Sequence, residues 1–425
     1  MTSSERTIPS LASVPSISIF TPSNNAELLK QAYASLVGQT DQNFDWFILL
    51  NGQALVDPDI SFAKDDPRVK VFYSTRTEGF VGALKNEICN QCTGDILLEL
   101  DHDDLLSPTA VAEVRKAFLE NPDVGFVYSN AIYATNDLKP VPRFGNGYGW
   151  EWKQHKLEEH YLDEVISPPP AATSVARIWY APDHLRAFRR ELYNLVGGHK
   201  KDMRVLDDQD LMSRLFQKTK FLHINKPLYI YRISGNNTWQ TNNKEIQDNV
   251  MRIYDIYAEK MMMHEAWNAK LRLVELGGRM NSTPNFTTVD LKGADINCDL
   301  NQEIPFEDSS VGVLRAIDVL EHLNDPIQIM KEAFRVLAPG GYFIIQVPST
   351  DGRGAFQDPT HKSFWNENSF FYYTDKRWAR FIDTPVRFQA TRLFTTEKDS
   401  NGVCWVRAHL VSLKDGFRPP GEIKI

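Results

Sequence analysis

The stretch DILLELDHDD, residues 95–104, is an apolar run that ends in three carboxylates within four positions, Asp101, Asp103 and Asp104, with His102 among them. A short apolar run of this kind reads as a buried strand. Acids gathered at a strand end repel one another unless a cation or hydrogen-bond donors neutralise them, so the residues point to a divalent metal site facing a phosphate ligand. A charged turn after a strand is the bland alternative, and the motif alone does not separate the two.

Outward from that run, short β-rich segments alternate with amphipathic ones. SISIF followed by Thr21 reads as a first strand, AELLKQAYASLVGQ as a helix, and FDWFILLNG as a second strand; VKVFYS and a helix around GALKNEICNQC then lead into DILLELDHDD. This alternation predicts an α/β domain with a mainly parallel sheet, its ligands gathered at the carboxyl ends of the strands. The aromatic, proline-containing stretch from Phe144 to Pro170 is expected to form loops over an active site. Lys244 to Leu271 has helical spacing without Gly or Pro and is expected to bridge two domains.

LRLVELGG opens a second α/β rhythm that continues through FTTVDL, VGVLRAIDVL, a helix through IQIMKEAFRVL and the strand GGYFIIQVPS, closing with FQATRLFTT and VCWVRAHLVSL as a pair of strands. A length of 425 residues also favours two cores. The expected organisation is a loose tail over 1–14, a first domain over 15–243, a helical linker over 244–270 and a second domain over 271–425. The fold class expected is α/β in both domains.

Composition narrows the classes of function. Hydrophobic residues make up 42% and charged residues 24%, which is globular, and no apolar run is long enough for a membrane span. The opening residues have no secretory pattern, and four cysteines cannot make a disulfide framework. A cytoplasmic chain is therefore expected. Cys89 and Cys92 form a CxxC inside a helical stretch with no second pair, which argues against zinc or redox chemistry. A net charge of −8 argues against a broad nucleic-acid surface while leaving room for a local basic groove.

The first half resembles family 2 glycosyltransferases of the GT-A fold. SISIFTPSNNAELLKQAYASLVGQTDQNFDWFILLNG, RTEGFVGALKNEI, LELDHDD, VLDDQDLMSRLF and KPLYIYRISGNN carry the resemblance in that order over about residues 15–240. The resemblance implies transfer of a sugar from a nucleotide-diphosphate donor to a glycan or other hydroxyl acceptor. Asp101 and Asp103 occupy its DxD positions, with Asp103 ligating Mn²⁺ or Mg²⁺ and Asp101 contacting the ribose or a metal-bound water. Thr21, Pro22, Asn51 and Lys85 fall at donor-side positions. The catalytic base is expected at Asp208, with Asp207 beside it; the alternative is that Asp207, Asp208 and Asp210 cap the helix DLMSRLF. Leu50-Asn51-Gly52 departs from the acid pair often found after the second strand, and RISGNNTW lacks the histidine often found there. His184 and His223 are read as structural histidines.

The second half resembles class I methyltransferases, which use S-adenosylmethionine and have a Rossmann-like fold. LVELGG, DVLEHL and RVLAPGG carry this resemblance over about residues 270–415. It implies that Glu275, Gly277 and Gly278 line the cofactor, that Asp290 meets its ribose and Asp299 lies by its adenine, and that Asp318 lies near the transferred methyl group. His361, in FQDPTHKSFW, is expected on the acceptor side. Gly277-Gly278-Arg279 departs from the usual GxG. The expected function is a bifunctional enzyme that adds a sugar and methylates the glycan. The alternatives are a glycosyltransferase whose second domain is a non-catalytic binding module, a glycosyltransferase acting on modified nucleic acid, and a non-enzymatic scaffold.

Overall fold

The structure is a computed structural model that describes residues 14–417 except 57–58, 77–79, 144–149, 158–159, 179–180, 236 and 279–283. It divides into two compact units, the first ending at Ala258 and the second beginning at Glu259, so that the division falls within the helix Asn243–Asn268.

The strands of the first unit are β1 (Ile17–Ser23), β2 (Phe44–Leu50), β3 (Val69–Tyr73), β4 (Ile96–Glu99), β5 (Leu105–Leu106), β6 (Val124–Thr135), β7 (Glu151–Leu157), β8 (His160–Ile166), β9 (Arg186–Arg189) and β10 (Lys220–Ile233). Their order along the sheet is β3-β2-β1-β4-β9-β6-β10-β5, with the β7–β8 hairpin joined to β6. Strands β1 to β4 pair in parallel, but β4–β9, β9–β6, β6–β8, β7–β8 and β10–β5 are antiparallel. The sheet is therefore mixed rather than mainly parallel. From β1 the chain builds out through β2 and β3 and then returns to place β4 on the other side. Ligand crevices form at such a switch point, beside the carboxyl ends of the strands.

Apolar spacing explains the flanking helices. Leu29, Ala32 and Leu36 lie on one face of the helix Leu29–Val37 and are buried against the sheet. The helix Val81–Cys89 is buried on nearly every side, Lys85 and Asn86 included. A Cβ at Gly82 would lie 2.2 Å from the Lys200 carbonyl oxygen and 3.1 Å from Asp207 Cβ. Only glycine allows the helix to approach the late acids so closely.

One expectation changes here. The stretch expected as loops between Phe144 and Pro170 contains the β7–β8 hairpin, in register from Glu151 opposite Ile166 to Leu157 opposite His160. Pairing with β6 gives its backbone groups partners that a loop would take from water. Trp150 is buried and Trp152 packs on the core, so these two aromatic side chains pack inward; Tyr148 and Trp179 lie outside the described residues. Cys89 and Cys92 are free and buried, and burial pushes the Cys92 thiol up to about 12, which suits an inert core cysteine.

The second unit has strands β11 (Arg272–Leu276), β12 (Thr287–Asp290), β13 (Ile296–Asn297), β14 (Val311–Ile317), β15 (Leu337–Pro348), β16 (Phe388–Thr395) and β17 (Trp405–Ser412) in the order β13-β12-β11-β14-β15-β17-β16. The first five are parallel, and β17 and β16 close the sheet antiparallel. The helix Pro326–Val336 begins with a side-chain cap from Asp325 to the backbone N–H groups of Ile327 and Gln328, and it buries Ile329, Met330, Ala333 and Val336 against this sheet. Here the switch point lies between β11 and β14. Among the described residues no helix is long and apolar enough to cross a membrane.

Candidate functional site

At the carboxyl ends of β1 and β4 the acids of DILLELDHDD take different positions. Asp104 is buried and is consumed by the protein: Tyr229 donates its hydroxyl to Oδ2 at 2.9 Å and the Arg232 backbone N–H donates to Oδ1 at 2.7 Å. Tyr229 Oη also accepts the Asp101 N–H at 3.1 Å, and Arg232 Nε donates to the Asp103 carbonyl oxygen. These bonds set the turn so that the Asp101 and Asp103 side chains remain partly exposed. Burial, reinforced by Asp101, raises the Asp103 pKa. His102 Nδ1 lies 2.9 Å from Ser23 Oγ and pins the turn to the end of β1.

The residues expected on the donor side divide into two groups. Thr21 is fully buried, donating its hydroxyl to the Leu100 carbonyl at 2.7 Å and accepting the Trp46 indole N–H at 2.9 Å, so its side chain serves the sheet. Pro22 stays partly exposed, and Asn51 sits at the end of β2 with its N–H on the Ser23 carbonyl at 2.9 Å. Pro22 and Asn51 therefore stand at the carboxyl ends of the neighbouring strands β1 and β2.

Lys85 is not the exposed lysine its helix would suggest. Its Nζ lies 2.5 Å from Glu99 Oε1 and 3.6 Å from Asp207 Oδ2. Glu99 is the buried last residue of β4, and it also faces Arg186 Nη1 at 3.8 Å and His184 Nε2 at 4.0 Å. Burial alone would raise the Glu99 pKa, but Lys85, His184 and Arg186 outweigh it and hold the carboxylate ionised well below the ordinary range. His184 Nε2 in turn lies 3.7 Å from Asp101 Oδ2 and has no hydrogen-bond partner although it is buried. Glu99, Asp101 and His184 thus present three ligand-type atoms within 4.8 Å of one another.

The late acids open the helix Asp207–Phe216. Arg186 Nη1 donates to Asp208 Oδ2 at 2.6 Å, while its Nε and Nη2 are held by the Pro182 carbonyl. Burial works against ionisation of Asp208, yet Arg186 and Lys85 lower its pKa; burial instead pushes Asp207 up to about 6 against the pull of Lys85. The Asp208 side chain is 22% exposed against 6% for Asp207, so Asp208 is the more accessible member of the pair. Asp210 is committed to Lys200, Arg214 and Tyr257. One chain of contacts, Asp101–His184–Glu99–Arg186–Asp208, joins the aspartate turn to the late acids. Glu99, His184 and Arg186 are the members that sequence reasoning left out or read as structural.

In the second unit, Gly277 takes φ +70° at the end of β11, donates its N–H to the Val289 carbonyl at 2.8 Å and packs so closely on Val319 that a Cβ would meet it at 2.8 Å. Gly278 is equally close to Thr288, at 2.7 Å. The turn is a tight backbone ledge at the switch point. Asp290 ends β12 and accepts the Leu291 N–H at 2.6 Å; Asp299 accepts from Asn301, and Asp318 accepts from Gln346 at 3.2 Å while taking φ +51°. Asp290 is the last residue of β12, and Asp318 directly follows β14. Glu275 differs: it is buried in the sheet and receives Arg315 Nη2 at 2.6 Å from the neighbouring strand. Its carboxylate is held in that ion pair, and Arg279 lies outside the described residues.

Residues 18–194 match the family model described as glycosyl transferase family 2, and residues 258–345 match the one described as methyltransferase domain. The O-antigen biosynthesis protein RfbC of Myxococcus xanthus is 27% identical over 237 residues, which are 54% of this chain and 17% of that protein. The hyaluronan synthase of Pasteurella multocida is 25% identical over 229 residues, 53% of this chain and 21% of that one. For the second half, a probable S-adenosylmethionine-dependent methyltransferase of Mycolicibacterium smegmatis is 41% identical over 63 residues, 14% of this chain and 24% of its own. The chain spans about a fifth of the length of these curated relatives. It thus carries in series a segment matching the glycosyl transferase family 2 model and a segment matching the methyltransferase model.

Proposed function

We propose that the first domain transfers a sugar from a nucleotide-diphosphate donor to a glycan hydroxyl, with inversion, and that the second domain methylates the glycan with S-adenosylmethionine. The observation that carries the first part is the Arg186–Asp208 pair. An ionised, partly exposed carboxylate suits a general base, and it is tied through Glu99 to the acids at the donor end of β4. In this reading Asp208 accepts the proton of the acceptor hydroxyl as that oxygen bonds to the anomeric carbon, and the bond from that carbon to the diphosphate oxygen breaks with its electron pair. Asp103 and Asp101 would hold Mn²⁺ or Mg²⁺, and the unpartnered ring nitrogen of His184 beside Asp101 fits such a neighbour. The cation supplies charge stabilisation for the leaving diphosphate. Roles of the relatives in O-antigen and hyaluronan synthesis are in keeping with a glycan acceptor.

For the second domain, the Gly277–Gly278 ledge supplies the close backbone approach that a nucleoside cofactor takes, with Asp290 placed to meet ribose hydroxyls. Gly277, Gly278 and Asp290 would hold S-adenosylmethionine, which would supply an activated methyl group to an acceptor oxygen whose proton passes to solvent. A second reading, a methyltransferase domain that only binds, draws on the closure of Glu275 by Arg315.

The test is metal-dependent hydrolysis across a panel of nucleotide sugars, comparing the intact chain with Asp103→Ala, with calorimetric titration of S-adenosylmethionine on the same samples. Turnover that requires Mn²⁺ or Mg²⁺ and disappears in the variant supports the donor site. No binding of S-adenosylmethionine at millimolar concentration would reject the bifunctional form.

A further inference from the structure

We infer that Glu321, His322 and His361 form a divalent-metal site in the methyltransferase domain, with open coordination positions at which an acceptor hydroxyl can bind. The three side chains present one carboxylate oxygen and two imidazole nitrogens, all within 4.8 Å of one another. Modest side-chain rotations bring such a set to the spacing of about 3.4 Å required around bonds of about 2.1 Å.

Glu321 is a buried acid whose hydrogen-bonding capacity is only partly met. The residue is 2% exposed, and its Oε2 has no hydrogen-bond partner; the other oxygen lies 4.0 Å from His361 Nε2. A buried carboxylate oxygen left unpaired costs stability unless something absent from the protein itself satisfies it. The tautomer of each ring is set by its neighbours. His361 Nδ1 lies 2.9 Å from the Ala355 carbonyl, which can only accept, so the proton sits on Nδ1 and Nε2 offers its lone pair toward Glu321. Thr360 donates its hydroxyl to Asp358 at 2.7 Å, and so its oxygen, 3.1 Å from His322 Nδ1, accepts from that ring nitrogen. His322 Nε2 is thereby left as the ligand atom as well. Carbonyl and carboxylate partners behind metal-bound histidines orient them in this way.

The backbone fixes the assembly. The Glu321 carbonyl accepts the N–H groups of Lys362 at 2.6 Å and Ser363 at 3.0 Å, clamping the segment that carries His361 onto the turn after β14. That turn also contains Val319, against which Gly277 packs. The site therefore lies within a few residues of the expected cofactor ledge. Two imidazoles and one carboxylate favour a first-row transition cation such as Zn²⁺ over Mg²⁺ or Ca²⁺, and three protein ligands leave room for a substrate oxygen. That a bound hydroxyl would lose its proton more readily there rests on the methyl-transfer reading above; the metal site itself does not.

The test uses the full chain carrying Asp103→Asn, which removes the cation expected in the other domain. After chelation, Co²⁺ is titrated by visible absorption and Zn²⁺ by calorimetry. One equivalent is expected, with affinity reduced at least tenfold by Glu321→Gln, His361→Gln and His322→Gln; His322 is partly exposed, so its variant should melt normally in the absence of metal. No cation bound, or binding unchanged in both histidine variants, would overturn the assignment. Cation binding without S-adenosylmethionine binding would leave the site standing and reject the methylation reading instead.

Discussion

Glu99 and Arg186 are directly opposite one another in the antiparallel pairing of β4 with β9, and their side chains meet at 3.8 Å beneath the aspartate turn. Register therefore brings Arg186 to Glu99, while Lys85 reaches it from the helix Val81–Cys89. Replacing Glu99 with Gln leaves Lys85 and Arg186 short of a buried acid, and the expected cost is about 3–5 kcal/mol. Adding Lys85→Met should recover part of it. Urea unfolding of the single and double variants measures both; equal stability of the two would show that the pair is not coupled.

Arg186 also governs the proposed base. Burial opposes ionisation of Asp208, but Arg186 and Lys85 hold its pKa below the ordinary value, so any acid limb that it sets on the transfer rate should lie below the ordinary carboxylate range. Arg186→Lys loses the fixed guanidinium contact and should shift the limb upward, whereas Asp208→Asn should lower turnover by about 10²–10⁴ while leaving donor binding intact. A pH–rate profile of each variant with a saturating donor decides the point.

Glu321 gives the second domain a pH signature. Burial raises its pKa from 4.5 to about 8 in the folded chain without metal. The sign follows from linkage: the folded state binds this proton more tightly, so the stabilisation is full below about pH 4.5 and is lost as pH rises through about 8. Glu321→Gln should flatten that fall by a few kcal/mol, on the order set by 1.4 kcal/mol per pKa unit. Chelated samples melted between pH 4 and pH 9 supply the measurement.

Gly277→Ala should destabilise the second domain by about 1–3 kcal/mol, since it adds a side chain at φ +70° and places a Cβ 2.8 Å from Val319. It should also weaken S-adenosylmethionine binding. Thermal melting and calorimetry separate the two effects, and Gly197→Ala, which has φ +84° but no atom within 4 Å, controls for backbone strain.

What could be read from the chain and what could not follows from sequence distance. The strand run before Asp101, the Gly277 turn and the helix IQIMKEAFRVL are local patterns, and each appears in the fold where apolar spacing puts it. Glu99 looks like an ordinary strand residue until β9 brings Arg186 beside it and the helix Val81–Cys89 brings Lys85. Its partners lie 14 and 87 positions away, and strand register and helix packing bring them together. The β7–β8 hairpin was obscured by Pro168, Pro169 and Pro170 immediately downstream, although EWKQHKL and HYLDEVI are long enough to pair. Glu275 was legible as an acid beside glycines, but its ion pair with Arg315 depends on the β11–β14 register.

The helix Asn243–Asn268 carries core residues for both units: Ile246, Val250 and Ile253 pack with Val205 and Leu206 in the first, while Ala266 lies under Gly312 in the second. A scissile point anywhere inside it would strip hydrophobic contacts from one product or the other. A different domain in place of either half would have to offer an apolar seat to the end of this helix that packs there.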